Sequence, residues 1–205
     1  MARDTHSIVK MSRREGYALH PKAHKALAKR TNMPGQSANA RMRNKPSQYS
    51  LQLREKQKVK RLYGLLEKQF SNLMAEANRT PGQSGATLLQ YLERRLDNAV
   101  YRAGFAPSRR AARQLVTHGH FMYNGRRVDI PSIRLREGDE ITLRDHSKSN
   151  EYFKKLDETS PAPSATPNWQ KVDRKKVAFT VTSLPVRDDA EPEIKEQLIV
   201  EYYSR

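Results

Sequence analysis

The sequence is expected to fold as an α+β protein, and three features carry that expectation. Apolar residues recur at three- and four-residue steps over two long stretches of the first half, the period of amphipathic helices. Asn124-Gly125 stands between two short alternating runs, which is the pattern of a tight β-hairpin. Further short β-rich segments follow, punctuated by Glu137-Gly138-Asp139 and then by a proline-rich stretch.

Residues 1–46 are basic and apolar-poor, with breaks at Pro21, Pro34-Gly35 and Pro46. Such a stretch buries little apolar surface and is expected to be a loosely ordered arm that folds against a partner. Pro34-Gly35 suits the central positions of a type II turn. From Ser50 to about Ala77, the residues Val59, Leu62, Leu66, Phe70, Leu73 and Met74 make one apolar stripe and predict a helix bent at Gly64. Arg54, Lys58 and Arg61 run along another of its faces. After TPGQSG, the run Leu88, Leu92, Leu96, Ala99 and Ala103 predicts a second helix, closed by Gly104 in the left-handed cap position. Ala106-Pro107 breaks the chain, Ser108 offers a capping oxygen, and a third helix is expected from Arg109 to about His118.

That third helix is sharply two-sided. At about 100° per residue, Arg109, Arg110, Arg113, Gln114 and Thr117 share one arc, and Ala111, Ala112, Leu115 and Val116 fill the other. No acid occurs between Gly104 and Val128, so the arc reads as a phosphate-binding surface. Arginine suits this because its planar fork binds two phosphate oxygens at once and can also lie flat on a base. A two-residue turn at Asn124-Gly125 pairs Tyr123 with Arg126 and Phe121 with Val128, which leaves Arg126 and Arg127 at the tip. IRLR and EITLR are expected to form a second strand pair, with Ile141 and Leu143 inward. Residues 151–169 read as a linker, and 171–183 as a strand through Val177, Phe179 and Val181. Ile194, Leu198, Ile199 and Tyr202 suggest a closing helix.

Thirty-nine Lys and Arg against 22 Asp and Glu give a net charge of +17. Residues 1–60 hold fifteen bases and three acids, 61–150 fifteen and nine, and 151–205 nine and ten. The positive field belongs to the first three quarters of the chain, and a polyanion is the natural partner there. The absence of cysteine excludes disulfides, thiolate metal sites and thiol nucleophiles. No apolar run is long enough to cross a bilayer, and MARDTHSIVKMSRREGY lacks the core of a secretory signal, so a cytoplasmic location with no membrane partner is expected. A Gly-rich phosphate loop and a nucleophile elbow are both missing, so neither an enzyme nor a cofactor is expected. His20 and His24 share a helical side but lack further ligands, so no metal is expected either. Two helices with a Gly- and Pro-containing turn also suit a helix-turn-helix DNA reader, against which stand the short second helix and the hairpin that follows at once.

LLQYLERRLDNAVYRAGFAPSRRAARQLVTHGHFMYNGRRVDIPSIRLREGDEI resembles the RNA-binding domain named after small-subunit ribosomal protein S-four. REGYAL, MPGQS, LQLREKQKVKRLYGLLEKQF and EQLIVEYYSR extend the resemblance to the bacterial ribosomal family itself, over nearly the full length. It implies a helical N-terminal domain with an inserted RNA-binding domain of two helices packed on a small antiparallel sheet. The partition would be a basic arm (1–46), a helical domain (47–86) on which 185–205 packs back, and the RNA-binding domain with its linker (87–184). The family's function would be to bind a multi-helix junction in the 5′ domain of small-subunit rRNA, nucleate subunit assembly and contribute to decoding accuracy.

Carried over by position, the rRNA contacts would be Arg109, Arg110, Arg113, Gln114, His118, His120, Asn124 and Arg126 in the inserted domain. Lys10, Arg13, Arg14, Arg54, Lys56 and Lys58 would reach the junction. Arg41, Arg43 and Lys45 would line the path of entering mRNA, beside ribosomal proteins S-three and S-five, and no homo-oligomer is implied. Two departures stand out. The four zinc-binding cysteines of some members are missing, and the usual PPGQHG reads NMPGQSA.

Overall fold

The basic N-terminal stretch is helical where it can bury even a few side chains. Helix α1 (Ile8–Glu15) and helix α2 (Pro21–Lys29) hold Met11, Leu19 and Ala23 out of water. Ser12 Oγ donates to Ile8 O at 2.9 Å and accepts the Leu19 N–H at 3.2 Å, tying the connection to α1. Pro21 opens α2 at the first position, where its missing N–H leaves no bond unmade. The loosely ordered arm expected from composition is therefore replaced, over these residues, by two short packed helices. The computed structural model describes residues 4–30, 32–35, 45–163 and 166–204, and the chain divides into two units, residues 1–88 with 192–205 and residues 89–191.

In the first unit the stripe of residues 50–77 is broken into α3 (Gln48–Leu62) and α4 (Glu67–Arg79), with Gly64 at φ 66 in the turn between them. Val59, Phe70, Met74 and Ala77 are fully buried along the two helices. The C-terminal helix (Glu196–Tyr203) closes this unit against α3: Gln52 Nε2 donates to Glu201 Oε2 at 2.7 Å, and the Lys195 N–H donates to Glu55 at 2.9 Å. Residues 185–191 lie instead with the second unit. Gln90 donates to Pro185 O there, and Glu191 pairs with Arg109 at 3.0 Å.

Helix α5 (Ser84–Glu93) leads into the second unit, where α6 (Leu96–Arg102) and α7 (Arg109–Thr117) pack on a five-stranded antiparallel sheet. The break between α5 and α6 at Arg94 and Arg95 was not expected. Its cause is residues 133–136, expected as a sheet strand, which make a single antiparallel bridge from Arg134 to Arg95. Ser108 caps α7 as expected, its Oγ accepting the Ala111 N–H at 3.2 Å.

Strands β1 (Phe121–Tyr123) and β2 (Arg126–Val128) form the expected hairpin, with Phe121 opposite Val128 and Tyr123 opposite Arg126. Asn124 (φ 48) and Gly125 (φ 77) take the positive angles that a type I′ turn demands. Strand β3 (Glu140–Leu143) follows, with Ile141 and Leu143 buried, and its other neighbour is β5 (Ala178–Val181). The single strand expected over 171–183 is a hairpin of β4 (Gln170–Asp173) and β5, turning through Val177 at φ 51. Burial of the Val177 side chain in the core offsets that strained angle, which costs an L residue about 1–2 kcal/mol. The sheet order is β2-β1-β3-β5-β4. Residues 151–169, expected as a linker, contain short helical turns at Glu151–Lys154 and Leu156–Thr159, and Trp169 is sunk in the core with Phe105, Phe121 and Phe179.

Two measurements test this packing. Glu67 is partly buried, which raises its pKa, but hydrogen bonds from Lys56, Lys60 and Tyr203 prevail and hold it at about 2 against an ordinary 4.5. A depressed carboxylate stabilises the fold above its unfolded value and loses that effect as pH falls through the folded one. Chemical unfolding followed between about pH 5 and pH 2 is expected to show stability falling with pH, and Glu67→Gln is expected to flatten that dependence. In Gly119→Ala the new Cβ would sit 2.7 Å from Arg127 Nε at φ 70, so a loss of about 1–2 kcal/mol is expected in urea titration.

Candidate nucleic-acid interface

Helix α7 is oriented by acids that lie far from it in sequence. Asp97, buried on α6, accepts Arg95 Nη2 at 2.8 Å, the Asn98 N–H at 3.0 Å and Arg113 Nη1 at 3.4 Å. Arg109 Nε donates to Asn98 Oδ1 at 2.8 Å, its Nη2 donates to Glu191 at 3.0 Å, and its guanidinium lies 4.7 Å from the centre of the Tyr101 ring. Glu93, wholly buried, takes Asn98 Nδ2 and both Nε and Nη2 of Arg102. Burial pulls the pKa of Arg113 down, with Arg95 adding to that pull and Asp97 opposing it.

This lattice corrects the expected arc. Arg109 and Arg113 are half-buried and turned into the protein's own carboxylates. Arg110, Gln114, Thr117 and His118 carry the outward face of α7. On the helical wheel Arg109 lies only about 20° from buried Val116, so a side chain there leaves along the packed edge.

The hairpin continues the outward face. Arg127 rests its guanidinium on Gly119, at the carbonyl end of α7, where a cation is favoured, and Arg126 is exposed beside the turn. Arg127 is absent from the contacts that the resemblance implies. Its signal lies in the register, since it faces Met122 and leaves the sheet on the side opposite Val128. His118 and His120 lie 6.0 Å apart. His120 Nδ1 is 3.0 Å from Ser147 Oγ, and its ring meets the edge of Phe153 at 5.5 Å. Burial first, then His118 and Arg144, push the His120 pKa down, which keeps its imidazole neutral near pH 7. The Asn124 side chain is held within the protein: Nδ2 donates to Asp139 at 2.9 Å and Oδ1 accepts the Glu140 N–H at 2.8 Å. Asp139 also takes the Tyr123 hydroxyl and the Arg136 N–H, so this buried carboxylate fixes the hairpin tip.

The first unit sorts its cations in the same way. Lys10 and Arg14 are exposed on α1, as is Lys45, while Arg13 donates to Asn32 O at 2.7 Å. Arg54 and Arg61 both close on the buried carboxylate of Glu15. Lys56 is not a surface cation: it is 3% exposed, donates to Glu67 at 2.6 Å and lies 4.6 Å from the centre of the Tyr202 ring. Lys58 is turned to Glu193 O and Glu55, both at 2.8 Å. Arg41 and Arg43 lie outside the described residues. His20 is spent as the cap of α2, its Nδ1 accepting the Lys22 N–H. Among the described residues no group of His, Asp or Glu is arranged to hold a metal, and no helix is long and apolar enough to cross a membrane.

What this arrangement offers is a positively charged strip with its acids inside. It runs along about 13 Å of helix, set by a rise of about 1.5 Å per residue, and ends on a hairpin tip. It presents forks for phosphate and few groups shaped to read base edges.

Residues 3–93 match the family described as ribosomal protein S4/S9 N-terminal domain, and residues 94–141 match the S4 domain. The chain is 48% identical over 206 residues to the small ribosomal subunit protein uS4 of Roseiflexus castenholzii, covering 100% of both chains. The proteins of the same name from Herpetosiphon aurantiacus (48% over 211 residues) and Chlorobaculum tepidum (48% over 206 residues) are likewise similar over 100% of both chains.

Removing one partner from a buried ion pair strands the other charge. Asp97→Ala is therefore expected to cost about 3–5 kcal/mol in urea unfolding. Exposed Arg110→Ala is expected to change stability by no more than about 0.5 kcal/mol, which makes it a clean probe of binding.

Proposed function

The chain belongs to the uS4 family of small ribosomal subunit proteins, and from that premise we propose that it grips a multi-helix junction in the 5′ domain of small-subunit rRNA and so nucleates subunit assembly. The family is one of structural ribosomal proteins and not of enzymes. One observation carries the reading: α7 and the β1–β2 hairpin turn Arg110, Gln114, His118, Arg126 and Arg127 outward while Glu93, Asp97 and Glu191 are paired with Arg95, Arg102 and Arg109, so the three arginines on this strip are left for a partner. Such a strip recognises the path of a folded phosphate backbone and is indifferent to base identity. His120, neutral near pH 7, would serve as a hydrogen-bonding group beside it.

In this reading the first unit contributes a second grip through Lys10, Arg13 and Arg14, while Arg54 and Lys58 shape that surface from within their ion pairs. Lys45, together with Arg41 and Arg43, is assigned to the path of entering mRNA, beside ribosomal proteins S-three and S-five. That is where an influence on decoding accuracy would arise, on ribosomes in the cytoplasm. Support for this second assignment is the cationic run that follows the Pro-Gly turn and the family resemblance of that segment.

The test is salt dependence. Every phosphate that a side chain ceases to neutralise takes about 0.7–0.9 off the slope of log affinity against log salt. Arg110→Ala with Arg127→Ala is expected to lower the slope for a 5′-domain rRNA fragment by about 1.4–1.8. Arg109→Ala is expected to act chiefly on stability. An unchanged slope in the double variant, or equal competition by duplex DNA, would exclude a folded-RNA grip on this face.

A further inference from the structure

Helix α1 has only eight residues, a length at which an isolated helix is marginal in water, so its order comes from docking. The apolar part of that docking is thin, with Met11 buried on α1 itself and Leu19 and Ala23 on the chain that follows. At about 100° per residue, Met11, Glu15, Ile8 and Ser12 share one arc of α1, and Arg13, Lys10 and Arg14 share the opposite one. Met11, Ser12 and the Glu15 side chain are out of water, whereas Lys10 and Arg14 are exposed. Rotation of this short helix therefore decides where its cations point.

Glu15 has no local reason to stand where it does. A carboxylate in the last turn opposes the helix dipole, which favours cations at that end. Its side chain is 0% exposed, and its Oε1 accepts from Arg54 Nη1 at 3.2 Å and from Arg61 Nη1, both on α3. Those two arginines stand about two turns apart and converge on one oxygen, which fixes α1 along α3 as well as about its own axis. Among the described residues, Glu15 Oε2 is buried with no hydrogen-bond partner. Burial raises the Glu15 pKa and outweighs the opposing pull of Arg54, Arg61, Arg14 and Lys58. An ion pair whose desolvation exceeds its attraction contributes little to stability. What it supplies is a fixed geometry.

We propose that Glu15 is a positioning residue for RNA binding: closed on Arg54 and Arg61, it sets the rotation of α1 so that Lys10 and Arg14 meet the phosphate backbone already oriented. This rests on the RNA-binding reading of the first unit and adds to it a residue that acts without touching RNA. The effect is one of conformational entropy. Cations on an undocked helix have to be ordered as RNA binds, whereas on a docked helix that ordering is complete beforehand. The phosphates neutralised are the same in either case, because Lys10 and Arg14 stay on the chain. Loss of the tether therefore weakens binding and leaves its salt slope in place. Net charge acts the other way, since removing an acid beside cations strengthens the attraction for a polyanion. Positioning and net charge thus have opposite signs in a Glu15 variant.

The experiment uses the full chain and a 5′-domain rRNA fragment titrated at about 50–300 mM KCl, with circular dichroism melting as the check on folding. Glu15→Leu keeps the buried arc of α1 apolar and removes the tether, and is expected to bind about five- to tenfold more weakly with the parent slope. Glu15→Gln, which retains an oxygen for both arginines, is expected to recover most of that loss. Arg61→Gln breaks the tether from α3 and is expected to weaken binding in the same way, so it carries the test if Glu15→Leu melts early. Lys10→Gln with Arg14→Gln is expected to lower the slope by about 1.4–1.8. Parent-like or tighter binding by the folded Glu15→Leu or Arg61→Gln chain, while the Lys10 and Arg14 double variant lowers the slope, overturns the positioning role and leaves the RNA grip standing. A slope lowered by about 0.7–0.9 in Glu15→Leu or Arg61→Gln shows a lost phosphate contact instead of lost order, and overturns it too. An unchanged slope in the Lys10 and Arg14 double variant overturns the α1 grip itself and the positioning role with it.

Discussion

The second unit depends on a lattice of buried carboxylates that holds arginines from three places in the chain. Glu93 and Asp97 lie on either side of the α5–α6 break, Glu191 arrives from nearly a hundred residues later, and between them they fix Arg95, Arg102, Arg109 and Arg113. Taking such ions out of water costs several kcal/mol each, and they are tolerated only because nearly every oxygen and N–H finds a partner. Asn98 completes the set, donating to Glu93 and accepting from Arg109. What the lattice fixes is the rotation of α7 about its own axis. With Arg109 and Arg113 tethered, Arg110 and Gln114 have to face outward, and the hairpin arginines join them at the far end of the helix.

The same division of labour appears in the first unit. Glu15 is buried to 0% side-chain exposure, and burial raises its pKa against the opposing charges of Arg54 and Arg61. Glu67 gathers Lys56, Lys60 and the Tyr203 hydroxyl. A chain with 39 bases and 22 acids could have scattered the acids over its surface. Glu15, Glu93 and Asp97 are instead turned inward as struts, while Arg110, Arg126 and Arg127 are left outside. That is the electrostatic form a polyanion-binding surface needs.

Where local chemistry decides, the sequence was readable. Asn124-Gly125 fixes the hairpin register because both residues adopt positive φ, and Ser108 marks the start of α7 because its oxygen is positioned for a free N–H. Where partners come from afar, it was not. The tethering of Arg109 and Arg113 depends on Glu191 and Asp97, and neither pairing leaves a periodic trace. Lys56 looked like one more surface base, and only Glu67 and Tyr202 reveal it as an internal one. IRLR has the alternation of a sheet strand, yet it is captured by the backbone at Arg94 and Arg95. Trp169 stood in a proline-rich stretch whose composition hid its place in the core.

The most direct measurement is the structure of this chain bound to small-subunit rRNA, read at the side chains of α7. Arg110 and Arg127 should lie within hydrogen-bonding distance of phosphate oxygens, with Arg109 still on Glu191 and Arg113 still on Asp97. Arginines 109 and 113 swung out onto the RNA, or a bare α7 face with the RNA bound elsewhere, would contradict the claim that internal carboxylates set the binding surface.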